Sequence, residues 1–308
     1  MITAEVKTMR LGGPIFKKNI SINEAIQTHK DLGFGAAFCP WIEDSVERDE
    51  YIKAFSEADI VLAEFGAYGI NILDTDAGLR QKNIDEVCKR LERADIMGAR
   101  CCVMHGGSVE SGKWGTANRE NMSEKSFLES VKIIQDIIDA VKPGRTKLVL
   151  ETESYLFPDG PENYKRFIDA VDSSSFGVHL DPINITCTPR RVYFNDDFLK
   201  HCFAVLGPWI VSCHAKDFNM EPVWPTVKID ETFIGGGVLN YQVYLKEIQR
   251  LDCQPTLMIE HLNAGQLETG LKFIFGEAKR AGIVFEGSGN RIEYKASDGG
   301  AYFAPHEE

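Results

Sequence analysis

Four ionisable side chains stand directly after apolar runs in the second half of the chain. Glu151 follows Leu148-Val149-Leu150, Asp181 follows Val178-His179-Leu180, His214 follows Val211-Ser212-Cys213, and Glu260 follows Leu257-Met258-Ile259. A buried charge is costly unless it is paired or coordinates a metal. Carboxylates crowded into one space also raise one another's pKa. One divalent cation removes both problems. Three carboxylates with one imidazole suit Mn2+ first, with Mg2+, Co2+ or Fe2+ as alternatives, and the lack of thiolates disfavours structural zinc. Taken singly, a Glu or Asp at such a position is ordinarily a helix cap or a surface residue, and a His a satisfied core residue. The repetition of the pattern is what favours a shared metal site at Glu151, Asp181, His214 and Glu260.

For these positions to meet, the apolar runs must be strands of one sheet whose carboxyl ends face the same way. The sequence alternates short apolar runs with longer amphipathic stretches. Strands are expected at 9–16, 36–41, 67–73, 100–106, 147–153, 176–182, 209–216 and 255–261, and helices at 21–32, 48–65, 78–97, 123–141, 161–171, 196–206, 240–251 and 265–281. The first helix opens with Ser21 and Glu24, the spacing of a capping box. The fourth carries Phe127, Val131, Ile134, Ile137 and Ile138 on one face and stops before Pro143-Gly144. Eight strand–helix units imply a parallel sheet, and eight is the number that closes into a (β/α)8 TIM barrel. No GxGxxG or P-loop supports a doubly wound alternative. The expected class is therefore α/β, a single-domain barrel over 1–285 with a C-terminal extension over 286–308. That extension reads either as disordered or as a short hairpin, 291–295 with 301–303, packed on the barrel or on a neighbour.

Several further residues share the mouth such a barrel would have. Glu153 lies on the same side of its strand as Glu151 and is a candidate for binding substrate. His179 lies one layer deeper than Asp181, as a donor to the site or a core histidine. Lys216 shares the side of His214 and is a candidate for binding a hydroxyl or oxyanion, while Asp217 could orient a ligand. His261 and Cys213 point away in a regular strand. Trp41, Tyr68, Phe16, Trp114 and Trp224 offer flat faces to a sugar ring or an aromatic group. Arg190-Arg191 reads as surface pairing in preference to a phosphate site.

Composition sets outer limits. With 34 Lys plus Arg against 46 Asp plus Glu, the formal charge of the 308 residues is −12, which repels nucleic acid and anionic membranes. No apolar run approaches the ~20 residues of a membrane span. The eight cysteines show no CxxC spacing, and a chain this long can build a core without disulfides. They read as reduced and mostly buried. With no secretory signal in evidence, a cytoplasmic location is expected.

The phrases Leu150-Glu151-Thr152, His179-Leu180-Asp181-Pro182-Ile183-Asn184, Cys213-His214-Ala215-Lys216-Asp217 and Ile259-Glu260-His261 resemble the xylose-isomerase-like superfamily of sugar phosphate isomerases and epimerases. Gly235-Gly236-Gly237-Val238-Leu239-Asn240-Tyr241 resembles the glycine-rich loop this family carries before its last barrel helix. The likeness spans about 9–280. It implies one Mn2+-like ion on the four residues above. In the ketose 3-epimerases it resembles, two metal-bound glutamates exchange the substrate's proton from opposite faces, which implies Glu151 and Glu260 as the acid/base pair. Those epimerases place a histidine where this chain has Asn184. Here an imidazole stands instead at His105, in Val103-Met104-His105-Gly106-Gly107, either as a further base or as a loop cap. An extra base suits a lyase, and the superfamily includes the C-glycoside deglycosidase large (alpha) subunits. That resemblance implies a 3-keto glycoside substrate and a hetero-oligomer with a small β-sandwich (beta) partner chain. The two readings are a sugar isomerase or epimerase acting on a keto-sugar, and a metal-dependent lyase acting on a sugar or glycoside. A nuclease of this fold would need more histidines and a basic groove.

Overall fold

A computed structural model describes residues 9–287. Eight parallel strands close into a barrel. In chain order they are β1 (Arg10–Gly12), β2 (Ala36–Phe38), β3 (Val61–Gly66), β4 (Cys101–Met104), β5 (Lys147–Glu151), β6 (Phe176–Leu180), β7 (Ile210–Ala215) and, after an inserted hairpin, β10 (Thr256–Ile259). The hairpin is β8 (Asp217–Val223) paired antiparallel with β9 (Thr226–Thr232). Around the barrel the order is β1-β10-β7-β6-β5-β4-β3-β2, with β1 pairing both β10 and β2. The chain is thus the expected (β/α)8 barrel. The strands that end in the four singled-out residues, β5, β6, β7 and β10, are consecutive neighbours.

The covering helices are α1 (Ile22–Asp31), α2 (Ser45–Glu57), α3 (Ala77–Met97), α4 (Glu124–Val141), α5 (Pro161–Val171), α6 (Pro182–Ile185), α7 (Pro189–Tyr193), α8 (Asn195–Leu206), α9 (Tyr241–Arg250) and α10 (Ala264–Ala281). The Ser21–Glu24 capping box forms as expected. In α4 the apolar face Phe127, Val131, Ile134, Ile137 and Ile138 is buried, and a left-handed Lys142 ends the helix before Pro143. None of the helices among the described residues is long and apolar enough to cross a membrane. All eight cysteines are free thiols.

One stretch departs from expectation. The helix expected over 48–65 stops at Glu57, Asp59 takes a left-handed φ of 57°, and Val61–Gly66 becomes the third strand. A short apolar run with one charge inside it fits a buried helix turn or a barrel strand equally well. The closing of the barrel decides for the strand. The segment expected as that strand, 67–73, is a turn-rich loop at the mouth, where the Asn71 amide donates to the carbonyls of Ser108, Glu110 and Lys113. The hairpin β8–β9 was not expected either. The hairpin anticipated within 291–303 lies outside the described residues.

Candidate metal centre and active site

Each of the four residues is fixed by its own strand end. Glu151 closes β5 and Asp181 follows β6 at once. The two strand ends are clipped together by Thr152, whose hydroxyl donates to the Asp181 carbonyl (2.7 Å) and accepts the Asp181 N–H (3.0 Å). Asp181 is also the N-cap of α6: its Oδ1 accepts N–H bonds from Ile183 (2.9 Å) and Asn184 (3.4 Å). This leaves Oδ2 for the barrel mouth. The end of β7 is held from outside by two buried tyrosines of α9, Tyr244 donating to the His214 carbonyl (2.8 Å) and Tyr241 to that of Lys216 (2.7 Å). Glu260 follows β10 directly.

These positions converge. One donor atom from each of Glu151, Asp181, His214 and Glu260 lies within 4.8 Å of all the others. His214 Nδ1 is 3.1 Å from Glu151 Oε1, 3.1 Å from Glu260 Oε2 and 3.5 Å from Asp181 Oδ2. Lys216 Nζ lies 2.9 Å from Asp181 Oδ2 and 2.7 Å from Glu260 Oε2. Those same two oxygens are buried and receive no hydrogen bond, so charge alone, not donor direction, holds the ammonium there. Burial would raise the Glu151 and Asp181 carboxyls. The His214 imidazole at Glu151 and the Lys216 ammonium at Asp181 outweigh it and hold both below the usual carboxylate range. Burial opposes charge on Lys216 and His214 as well, but the surrounding carboxylates push both well above their ordinary values. Three inward carboxylates, two with an unbonded oxygen, and one imidazole nitrogen make a donor set that fits a hard divalent cation.

A fourth carboxylate lies beneath this cluster. Glu64 of β3 is 2% exposed. It contacts His179 Nε2 (2.9 Å, at Oε1) and His214 Nε2 (3.3 Å, at Oε2), and it accepts the Ser212 hydroxyl. Burial would raise its pKa, but the two imidazoles bring it well below the carboxylate range. Sequence reasoning missed Glu64 because it had placed the residue in a helix. The signal was there: one carboxylate inside the apolar run Val61-Leu62-Ala63-Glu64-Phe65, like those of the other strands.

Beside the cluster stands a second group. His105 follows β4, its Nδ1 is 3.2 Å from Glu153 Oε1, and its ring stacks on Trp114 at 4.4 Å with Tyr68 5.3 Å away. Burial raises the Glu153 carboxyl against the lowering effect of His105. A cavity of ≈ 360 Å³ opens between the mouth and the hairpin, lined among others by Asn184, Phe218, Ile229 and Glu231. Asn184 donates to Glu151 Oε1 (3.1 Å).

Other expectations need correction. Trp41 packs outside the barrel, against Phe65 and under Lys89 and Arg93 of α3, so it faces no substrate space. His179, a candidate for the substrate site as well, is instead the buried histidine expected one layer deeper: it lies under His214, ring centroids 4.1 Å apart, with Nε2 2.9 Å from Glu64 Oε1. The Asp217 carboxylate accepts backbone N–H bonds from Phe218, Gly235, Gly237 and Leu239, so it shapes the glycine loop instead of orienting a ligand. Gly237 is required there, since a Cβ would lie 2.2 Å from Asp217 Oδ1. His261 was expected to point away. Its left-handed φ of 55° turns the ring back to within 3.5 Å of Glu260 Oε2 and 3.0 Å of Glu231 on the hairpin. Trp224 is the exposed hairpin tip. Arg191 bonds the Ile185 carbonyl and lies over Phe198, as surface pairing predicts.

A family model described as xylose isomerase-like TIM barrel matches residues 25–276. Among solved structures the chain is similar to endonuclease IV from Thermus thermophilus (16% identity, 88% of this chain and 100% of that one, TM-score 0.67). It is similar to 3-keto-D-glucoside 4-epimerase from E. coli (14%, 88% and 99%, TM-score 0.63). It is also similar to D-psicose 3-epimerase from Clostridium cellulolyticum (13%, 89% and 96%, TM-score 0.61). At such identities the likeness establishes the fold. No curated protein matches the chain in sequence.

Proposed function

The chain belongs to the xylose isomerase-like TIM-barrel family, and on that premise we propose that it is a divalent-metal-dependent enzyme acting on a keto-sugar, of the isomerase or epimerase type. The observation that carries this reading is the meeting of Glu151, Asp181, His214 and Glu260 within 4.8 Å. These four residues would hold one ion, Mn2+ before Mg2+ or Co2+ by donor chemistry. When bound, the ion supplies Lewis-acid polarisation of a substrate oxygen, which acidifies the neighbouring C–H. Glu151 and Glu260 form the proton-exchanging pair, one taking the proton from the carbon and the other returning it. Asn184 keeps Glu151 oriented through its 3.1 Å bond. Glu153 meets the substrate's hydroxyls, Lys216 balances the charge of the carboxylates around it, and Tyr68 and Trp114 wall the substrate's ring. Two fold relatives are named for keto-sugar epimerisation, which accords with this class of substrate.

The contact of His105 with Glu153 at 3.2 Å favours a second reading, a lyase acting on a 3-keto C-glycoside. His105 would remove the proton beside the ketone, the bond to the aglycone carbon would break, and a second acid would protonate that carbon. A small β-sandwich partner chain belongs to this reading alone.

The test is a panel of ketoses and 3-keto glycosides incubated with metal-replete protein in deuterated water. Deuterium entering a free keto-sugar, lost in Glu260→Gln and retained in His105→Ala, supports the epimerase reading. Aglycone release that His105→Ala abolishes supports the lyase. Equal behaviour of wild type and Glu260→Gln on every productive substrate overturns the proton-exchange pair.

A further inference from the structure

The metal reading of the mouth uses four residues and leaves Glu64 without a role, although three polar side chains, His179, Ser212 and His214, converge on it. Strands β3 and β7 are diametrically opposite in the barrel order. Glu64 therefore spans the interior to reach Ser212 and His214. It takes the hydroxyl of Ser212 and faces the Nε2 atoms of His179 and His214 at 2.9 and 3.3 Å. Barrel interiors are ordinarily filled by branched apolar side chains, so a carboxylate here needs a reason.

His214 has two ring nitrogens with opposite surroundings. Nε2 faces Glu64, and Nδ1 faces Glu151, Asp181 and Glu260. A neutral imidazole has one N–H and one lone pair, and the partner of one nitrogen sets which it is. Without an ion, carboxylates on both sides favour the doubly protonated ring; once a cation takes up the charge of Glu151, Asp181 and Glu260, the ring is neutral, and Glu64, which can only accept, keeps the proton on Nε2 and leaves the lone pair on Nδ1.

We propose that Glu64 is a positioning residue that fixes the Nε2–H tautomer and the ring orientation of His214, presenting Nδ1 to a divalent cation in the barrel mouth. The proposal rests on the metal reading above. His179 supports the geometry, since it fills the second oxygen of Glu64 and stacks edge-on against the His214 ring at 72°. The atoms of Glu64, His179 and His214 are also close enough together to hold an ion of their own. That alternative fails on valence: neutral His214 cannot offer lone pairs to ions above and below at once, and Ser212 already donates to the same carboxylate. Outer carboxylate partners of metal-bound histidines are commonly worth 10–100-fold in metal affinity.

The test uses the full chain, stripped of metal and titrated with Mn2+ by calorimetry. Glu64→Gln keeps the side-chain shape but replaces one acceptor oxygen with a donor. The expected result is one ion per chain in both proteins, with affinity about 10–100-fold weaker in the variant. Ser212→Ala is the control. It removes a donor to Glu64 but leaves both imidazole contacts, and it is expected to lower thermal stability while keeping Mn2+ affinity within about threefold of wild type, below the range expected for losing the carboxylate. Nitrogen-15 correlation spectra of the Mg2+-loaded wild type are expected to place the His214 proton on Nε2. Glu64→Gln binding Mn2+ as wild type does, both variants losing only thermal stability, overturns the proposal. So does a His214 proton on Nδ1, which remains decisive should Glu64→Gln not fold. Two ions in wild type with one lost in Glu64→Gln would make Glu64 a ligand and also overturn it. A wild type that binds no divalent ion removes the metal reading itself, an outcome distinct from a wild type that binds and a variant that binds equally.

Discussion

Lys216 Nζ lies 2.7 Å from Glu260 Oε2, inside the carboxylate cluster and not out in the open mouth. The ammonium supplies a single positive charge where three carboxylates meet, at 2% exposure. Removing one partner of a buried charge pair typically costs about 3–5 kcal/mol. Lys216→Met should therefore destabilise the metal-free protein by an amount of that order in urea unfolding, and millimolar Mn2+ should restore most of it. A variant as stable as wild type without metal would show that the ammonium neutralises nothing of consequence.

Asp217 holds three backbone N–H groups of the loop that precedes α9, those of Gly235, Gly237 and Leu239, and the N–H of Phe218 in its own strand. Each N–H left buried without an acceptor costs roughly 1–3 kcal/mol. Asp217→Ala is expected to lower unfolding free energy by at least ~3 kcal/mol and to speed amide exchange at Gly235 and Gly237. Asp217→Asn keeps one acceptor oxygen and should fall between. If Asp217→Ala unfolds at the wild-type urea midpoint, the carboxylate is not what shapes the loop.

The mouth was legible because its chemistry is local. Glu151, Asp181, His214 and Glu260 each end an apolar run, and parallel strands must bring such ends to one face. Glu64 has the same signal, a carboxylate in an apolar run, but its meaning depended on whether 61–66 is helix or strand, and barrel closure decides that. The hairpin β8–β9 escaped for a different reason. Its strands do alternate, Phe218, Met220, Val227 and Ile229 with Asn219, Glu221, Lys228 and Asp230, and Met220 pairs with Ile229 across them, but the stretch lies between the seventh and eighth strand–helix units, where the barrel repeat has no place for a hairpin. Trp41 and Trp114 are alike in sequence terms. Which of them packs on a helix and which stacks on His105 is set by loop paths of long range.

His29 offers a pH test far from the mouth. It is buried in α1 against Phe34 and Phe55, with Nδ1 2.8 Å from the Ala25 carbonyl. Burial lowers its pKa, the Ala25 carbonyl working the other way. A histidine whose folded value is depressed favours folding above the unfolded value, near 6.5. That contribution is lost as pH falls from there through the folded value. Wild-type stability should thus decline as pH falls below about 6.5 partly through this group, and His29→Leu should show a shallower decline over the same range. Parallel curves would show that His29 is not the titrating group.

The central claim is that four distant residues bind one cation together. Its most direct test is calorimetric titration of metal-free protein with Mn2+, comparing wild type with Asp181→Asn and His214→Ala. The account predicts one ion per chain for wild type and affinities at least about 100-fold weaker in each variant, a loss of roughly 2.7 kcal/mol. A wild type that takes up no divalent ion, or variants that bind as tightly as wild type, would contradict it.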